Sequence, residues 1–286
     1  MSLHRNQLFA GGDYKIKRHI ASGSYGHVYS AIDYTEQAHG NKPKECVIKV
    51  EAINSPNAVL TQEIKLLKHL NRMRVPCIPI VLDSGQSLSL NYMCMQTLGP
   101  TVRNLIQFCE GLLSVKSALM ITLQMVDVIK KMHTALVTHQ DIKPSNMAIG
   151  VGRNSNTLFL IDFGLAAYYA NRKTGVHVEM GRNECLKGTP RYASINSHNL
   201  LTLSRRDDIE SLAYMLIHIC MEGMGLPWSC LTDLDQITKM KSEVKESEIC
   251  QGLPDQLMVF LKHSKQLDFD QVPRYEFLYF LIDQAA

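Results

Sequence analysis

The sequence predicts an α+β chain in two parts, a small β-rich lobe with one helix and a larger, mainly helical lobe. Short β-like runs fill the first third and helix-period stretches fill the rest, and the character changes near residue 98. The length of 286 residues suits one large domain or two lobes around a shared cleft. A content of 45% hydrophobic and 20% charged residues excludes a disordered chain.

The β-like runs are Tyr14–Ile20, His27–Asp33, Glu45–Val50, Ile78–Asp83 and Tyr92–Met95. One helical stretch, Val59–Leu70, interrupts them and sets Leu60, Ile64, Leu67 and Leu70 on one face. Gln96–Gly99 is a short connector. Beyond it, Ser117–His133 reads as a long buried helix and Asp207–Met221 as a second apolar one. Met147–Ile149 and Leu158–Ile161 are short strands, and Arg274–Ile282 is the last helix.

Charge and composition remove several function classes. A net charge of +3, from 30 Lys+Arg against 27 Asp+Glu, gives no polybasic field for nucleic acid, so anion binding must be local. No run approaches the ~20 apolar residues of a membrane span. The 8 cysteines form no CxxC pair, which favours reduced and mostly buried thiols over a zinc site. The first residues lack the apolar core of a signal peptide, so the expected compartment is the cytosol, with nuclear access open.

Four segments carry chemistry. Ala21-Ser22-Gly23-Ser24-Tyr25-Gly26-His27-Val28 lies between two strands; its glycines either cradle phosphate or simply cap a hairpin. Lys49, in Cys46-Val47-Ile48-Lys49-Val50-Glu51, shares a strand face with Val47. It is either solvated or paired with Glu63 in the following helix, with Glu51 a weaker partner. His139-Gln140-Asp141-Ile142-Lys143-Pro144-Ser145-Asn146 forms a polar loop between the long helix and a short strand. There Asp141 is suited to accept a hydroxyl proton, Lys143 to neutralise a transferring phosphoryl group and Asn146 to hold a divalent cation. Asp162-Phe163-Gly164 follows a strand and offers a carboxylate to magnesium.

The ordered set resembles a eukaryotic protein kinase over roughly residues 13–284. It is most similar to the casein kinase 1 family, through Gly188-Thr189-Pro190-Arg191-Tyr192-Ala193-Ser194-Ile195-Asn196 in place of Ala-Pro-Glu, Ser204-Arg205-Arg206-Asp207-Asp208-Ile209-Glu210 and Leu226-Pro227-Trp228. Leu98-Gly99-Pro100 fits as well, and Lys49-Val50-Glu51 and Ile142-Lys143-Pro144-Ser145-Asn146 also look like tau-tubulin kinases.

The resemblance implies a bilobal protein kinase fold, with an extension over 1–12 and a kinase domain over 13–286. The N-lobe would span about 13–95, the hinge 96–99 and the C-lobe 100–286. It implies ATP and Mg2+ as cofactors. Asp141 would be the catalytic base, aided by Lys143, with Asn146 and Asp162 as metal ligands. Ala21, Ser22, Gly23, Ser24, Gly26 and Lys49 with Glu63 would handle the phosphates. Val28, Met95, Gln96, Leu98 and Ile161 would surround adenine. Lys143 marks a Ser/Thr kinase, and Arg191 and Lys241 would bind the anion of an acidic or phospho-primed protein substrate. The alternative for Lys239 and Lys241 is a solvated helix face. The chain would act as a monomer, without nucleic acid or membrane.

Two positions depart from the family. Gln140 replaces the Arg that binds an activation-segment phosphate, which suits constitutive activity, and Ala21 replaces the first loop glycine. Those departures leave a rival reading, a pseudokinase scaffold that binds partners or nucleotide without catalysis. Arg205 and Arg206 would pair with Asp207 and Asp208, Asp208 would anchor the catalytic loop, and His139 would pack beneath it.

Overall fold

The computed structural model describes residues 2–23, 26–35, 42–56, 58–111, 113–221 and 225–285. They fall into two compact units. One comprises residues up to Arg74 with Ile78–Gly99; the other comprises Val75–Cys77 and the chain from Pro100.

The first unit is an antiparallel sheet with one helix. Its strands are Leu8–Phe9 (β1), Tyr14–Gly23 (β2), Gly26–Asp33 (β3), Lys44–Ala52 (β4), Val81–Ser87 (β5) and Leu90–Gln96 (β6), in the order β1-β2-β3-β4-β6-β5. Alternation sends Tyr14, Ile16, Tyr29, Ala31, Ile48 and Val50 into one core. The N-terminal extension contributes to it, since β1 pairs with β2 and both Leu3 and Phe9 are buried. Helix α1 (Leu60–Arg72) buries Leu60, Leu66, Leu67 and Leu70.

The expected strand Ile78–Asp83 is displaced towards the C-terminus. Pro79 has no amide to donate to a ladder, and the Asn71 side chain binds Pro79 O and the Val81 amide instead, both at 3.1 Å. Ile80 and Leu82, apolar residues of that run, are exposed. The hairpin closes at Leu88 and Ser89, both left-handed with φ of +50° and +61°, where the sequence offers no glycine or asparagine to mark a turn.

In the second unit, helices α2 (Val102–Phe108) and α3 (Val115–Thr134) come first. Four short strands follow, Val137–Thr138 (β7), Met147–Ile149 (β8), Leu158–Leu160 (β9) and Ala167–Tyr168 (β10). Then come α4 (Ile195–His198), α5 (Arg205–Cys220), α6 (Leu234–Glu243), α7 (Glu246–Ile249), α8 (Asp255–Lys265) and α9 (Tyr275–Ala285). Helix α5 is buried except at Arg205, Arg206 and His218, as expected of a central helix apolar on every side, and α3 and α8 pack on it.

The short strands decide where the site lies. β7 pairs with β10 and β8 with β9, both antiparallel. Loop 139–146 joins β7 to β8 and loop 161–166 joins β9 to β10, so the two pairings hold the polar loops side by side. None of the described helices is long and apolar enough to cross a membrane. The cysteines form no disulfide; Cys46, Cys94, Cys220 and Cys250 are buried, whereas Cys109, Cys185 and Cys230 are exposed.

Candidate active site

In the first unit, β2 and β3 meet at the glycine turn with Gly23 opposite Gly26. Gly26 has a φ of +123°, and a Cβ there would lie 2.1 Å from Val50 O, so only glycine lets the turn approach β4 this closely. Ala21 sits opposite Val28, and Val28 opposite Lys49. Ser22 Oγ is 2.9 Å from both His19 Nε2 and His27 Nδ1. Ser24 lies outside the described residues. Met95 and Gln96 end β6 against Val47 and Cys46, and Leu98 follows in the connector.

Lys49 is buried, and its Nζ lies 2.8 Å from Glu63 Oε2. An ion pair this deep needs good geometry to repay desolvation. Glu51, the competing carboxylate, has other work. Its oxygens accept the amides of Val59 and Leu60 at 2.9 and 3.1 Å, capping α1 where Val59 has no side chain to do so. The cap fixes α1, and α1 presents Glu63 to Lys49.

In the second unit, Asp141 collects three donors. Thr189 Oγ1 donates to its Oδ1 at 2.9 Å, Lys143 Nζ lies 2.7 Å from Oδ2, and Asn146 Nδ2 donates to Oδ2 at 3.0 Å. Lys143 Nζ also donates to Thr189 Oγ1 at 2.8 Å, closing a triangle. Gly188 permits it, because with φ of +87° a Cβ there would lie 2.7 Å from Gln140 O. Asn146 uses Nδ2 for both of its bonds to Asp141, which leaves its amide oxygen for a hard cation. Asp162 is exposed and left-handed, with φ of +64°, and Ile161 before it donates to Asn146 O at 2.9 Å. No group of three or more His, Cys, Asp or Glu side chains among the described residues could hold a metal. Asn146 and Asp162 would offer a divalent metal oxygen donors, the kind that a hard cation takes.

The loop is anchored from below. Asp208 of α5 accepts the His139 and Gln140 amides at 2.8 Å each and lies 2.9 Å from His133 Nε2. Burial pushes the His133 imidazole below its ordinary range, opposed by Asp208. His139 is fully buried, donating from Nε2 to Ile161 O at 3.1 Å and stacking edge-on against Phe163. Gln140, also left-handed, donates to Thr138 Oγ1 at 3.1 Å, while its Oε1 is buried without a partner. No cation for a bidentate phosphate contact stands there.

A family model described as a protein kinase domain matches residues 14–268. The chain belongs to the protein kinase family. Its fold is accordingly the α+β kinase fold, a β-sheet N-terminal region followed by a helical C-terminal region. Membership implies phosphoryl transfer to protein substrates, with ATP and a divalent metal, in general terms.

Two readings of basic residues in this kinase need correction. Lys241 is neither solvated nor offered to a substrate anion. It is 0% exposed, and its Nζ donates to Pro190 O at 2.8 Å and Ala193 O at 2.6 Å, between the rings of Tyr214 and Trp228. The period of α6 turns it inward, whereas Lys239 faces out. Arg205 does not pair with Asp208, whose oxygens are taken by the loop; it stacks on the Tyr169 ring at 4.5 Å and donates to Asp270 O. Arg206 keeps a long contact to Asp207, at 3.9 Å. Arg191 is half-buried and spends one donor on Ser229 O at 3.1 Å. Thr189 was missed as a site residue; its place two residues before Arg191 was read only as a family mark.

Proposed function

We propose that the chain is an ATP- and Mg2+-dependent Ser/Thr protein kinase of casein kinase 1 type, favouring acidic or phospho-primed substrates. The triangle of Asp141, Lys143 and Thr189 carries the reading. Asp141 would take the proton of a substrate hydroxyl, and the Lys143 ammonium beside it would answer the charge on the transferring phosphoryl group. Thr189 and Lys143 hold the Asp141 carboxylate in one orientation, so little reorganisation is needed at the moment of transfer.

Lys49, oriented by Glu63, would contact the α- and β-phosphates, and the turn from Ala21 to Gly26 would offer them backbone amides. Magnesium, held by Asn146 and Asp162, would neutralise charge building between the β- and γ-phosphates. Val28, Met95, Gln96, Leu98 and Ile161 would receive adenine. Arg191, with donors to spare beyond Ser229, is the residue for a substrate anion; buried Lys241 is not one. Gln140 in place of arginine supports activity that needs no phosphate on the activation segment.

Radiolabelled transfer from Mg·ATP to casein and to a phospho-primed Ser peptide tests this. The wild type is expected to label both, Asp162→Asn to abolish labelling, and Arg191→Ala to erase the primed-over-unprimed preference. No transfer by the wild type, with nucleotide binding intact, would make the chain a pseudokinase.

A further inference from the structure

Residues 189–193 form a tight turn in which the Tyr192 and Ala193 amides donate to Thr189 O at 2.9 and 2.8 Å. In a turn of this helical kind the free carbonyls point one way and gather partial negative charge. Three of them are captured by side chains from elsewhere in the same unit. Lys241 Nζ, reaching from α6, takes Pro190 O and Ala193 O together. Trp228 Nε1 donates to Arg191 O at 2.8 Å, and His198 Nε2 to Pro190 O at 3.0 Å. Lys241 alone among these holds two carbonyls of the turn at once. Its ammonium lies 4.8 Å from the centroid of Tyr214 and 5.0 Å from that of Trp228, so the electron-rich faces of both rings attend it.

The same turn begins with Thr189, which orients Asp141, and contains Arg191. We infer that Lys241 is a positioning residue, a buried cationic clamp from α6 that fixes the 189–193 turn and through it sets Thr189 against Asp141 and the direction in which Arg191 meets substrate. An ammonium suits the task because it supplies several donors from one point, and two carbonyls three residues apart converge on that point. Methionine at the same position fills the space, leaves Ala193 O without this partner and leaves Pro190 O to His198 alone. The catalytic part of this inference rests on the phosphotransfer reading; the clamp itself does not.

The test separates the two. Amide hydrogen exchange needs no activity. In the wild type the Tyr192 and Ala193 amides are expected to exchange about tenfold or more slower than those of residues 184–186 in the same segment. In Lys241→Met, exchange at 192 and 193 should accelerate about tenfold while β4 and α5 stay protected. Equal exchange at 184–186 and at 192 and 193 in the wild type overturns the clamp, even if the variant does not fold. Wild-type-like exchange in a folded Lys241→Met protein overturns it as well. In steady-state kinetics the variant should lose kcat and raise KM for the primed peptide about tenfold, with KM for ATP within about twofold of wild type. Uniform loss across all constants, tracking only a lower Tm, would mean that Lys241 merely stabilises and would overturn its positioning role. Absence of transfer by the wild type would sink the kinase reading and leave the exchange result to judge the clamp.

Discussion

Lys49 and Lys241 are both buried lysines, one in the sheet unit and one in the helical unit, and they hold charge in different ways. Lys49 meets a full counter-charge, Glu63, at 2.8 Å. Lys241 meets only partial charges, two carbonyl oxygens and two ring faces, with Glu210 a more distant carboxylate. Burial accordingly pushes the Lys241 ammonium below its ordinary range, with Glu210 opposing. A full counter-charge meets the first lysine, whereas carbonyls and ring faces meet the second. A cage of carbonyls uses up its lysine. The difference teaches that burial alone does not mark a functional cation; what matters is the kind of partner that meets it.

The largest effect that can break this comparison is on Lys49. Lys49→Met is expected to lower phosphotransfer by about 10²–10³-fold or more. It also strands Glu63, at a cost of about 3–5 kcal/mol seen in urea unfolding. The double change Lys49→Met with Glu63→Leu should restore much of that stability and none of the activity. Activity recovered along with stability would mean that the pair is structural only.

A smaller effect is expected at Lys241, where methionine removes charge-assisted bonds to Pro190 and Ala193 and should cost about 1.5–3 kcal/mol in the same unfolding experiment. A change below about 0.5 kcal/mol would show that the carbonyls find water instead.

The histidine beside that clamp gives a pH signature. Burial pushes His198 down to about 4, with Lys241 adding to the effect, and pushes His218 to about 4 with Arg191 adding. Both imidazoles are therefore neutral in the folded protein at pH 5–6, where the unfolded chain, titrating near 6.5, binds protons. Stability should fall as pH drops from about 6.5 towards 4. In Tm measurements from pH 7 to 5, His198→Gln should flatten that decline; an unchanged slope would remove His198 as a cause.

The smallest effect belongs to Gln140. Its Oε1 is buried without a partner, so Gln140→Met should shift stability by less than about 1 kcal/mol in either direction and leave transfer near wild type. A loss above about tenfold would give Gln140 a role that its contacts do not suggest.

The sequence alone determined the two-part α+β division, the long helices and the kinase family, because periodicity and ordered short motifs are local signals. The pairing of Lys49 with Glu63, and the place of Lys143 and Asn146 in one loop with Asp141, were legible since the motifs and their order are local signals. The boundaries of β5 were not, because Asn71 and a turn without glycine set them through contacts that periodicity does not encode. Glu51 and Glu63 were likewise two carboxylates near one lysine until α1 was placed, and then one capped the helix while the other met the charge. Lys241 looked like a surface cation because α6 is short and polar. Only the tertiary structure brought the carbonyls of a turn some fifty residues earlier in the chain within reach of its ammonium, and a contact of that range leaves no trace in local pattern.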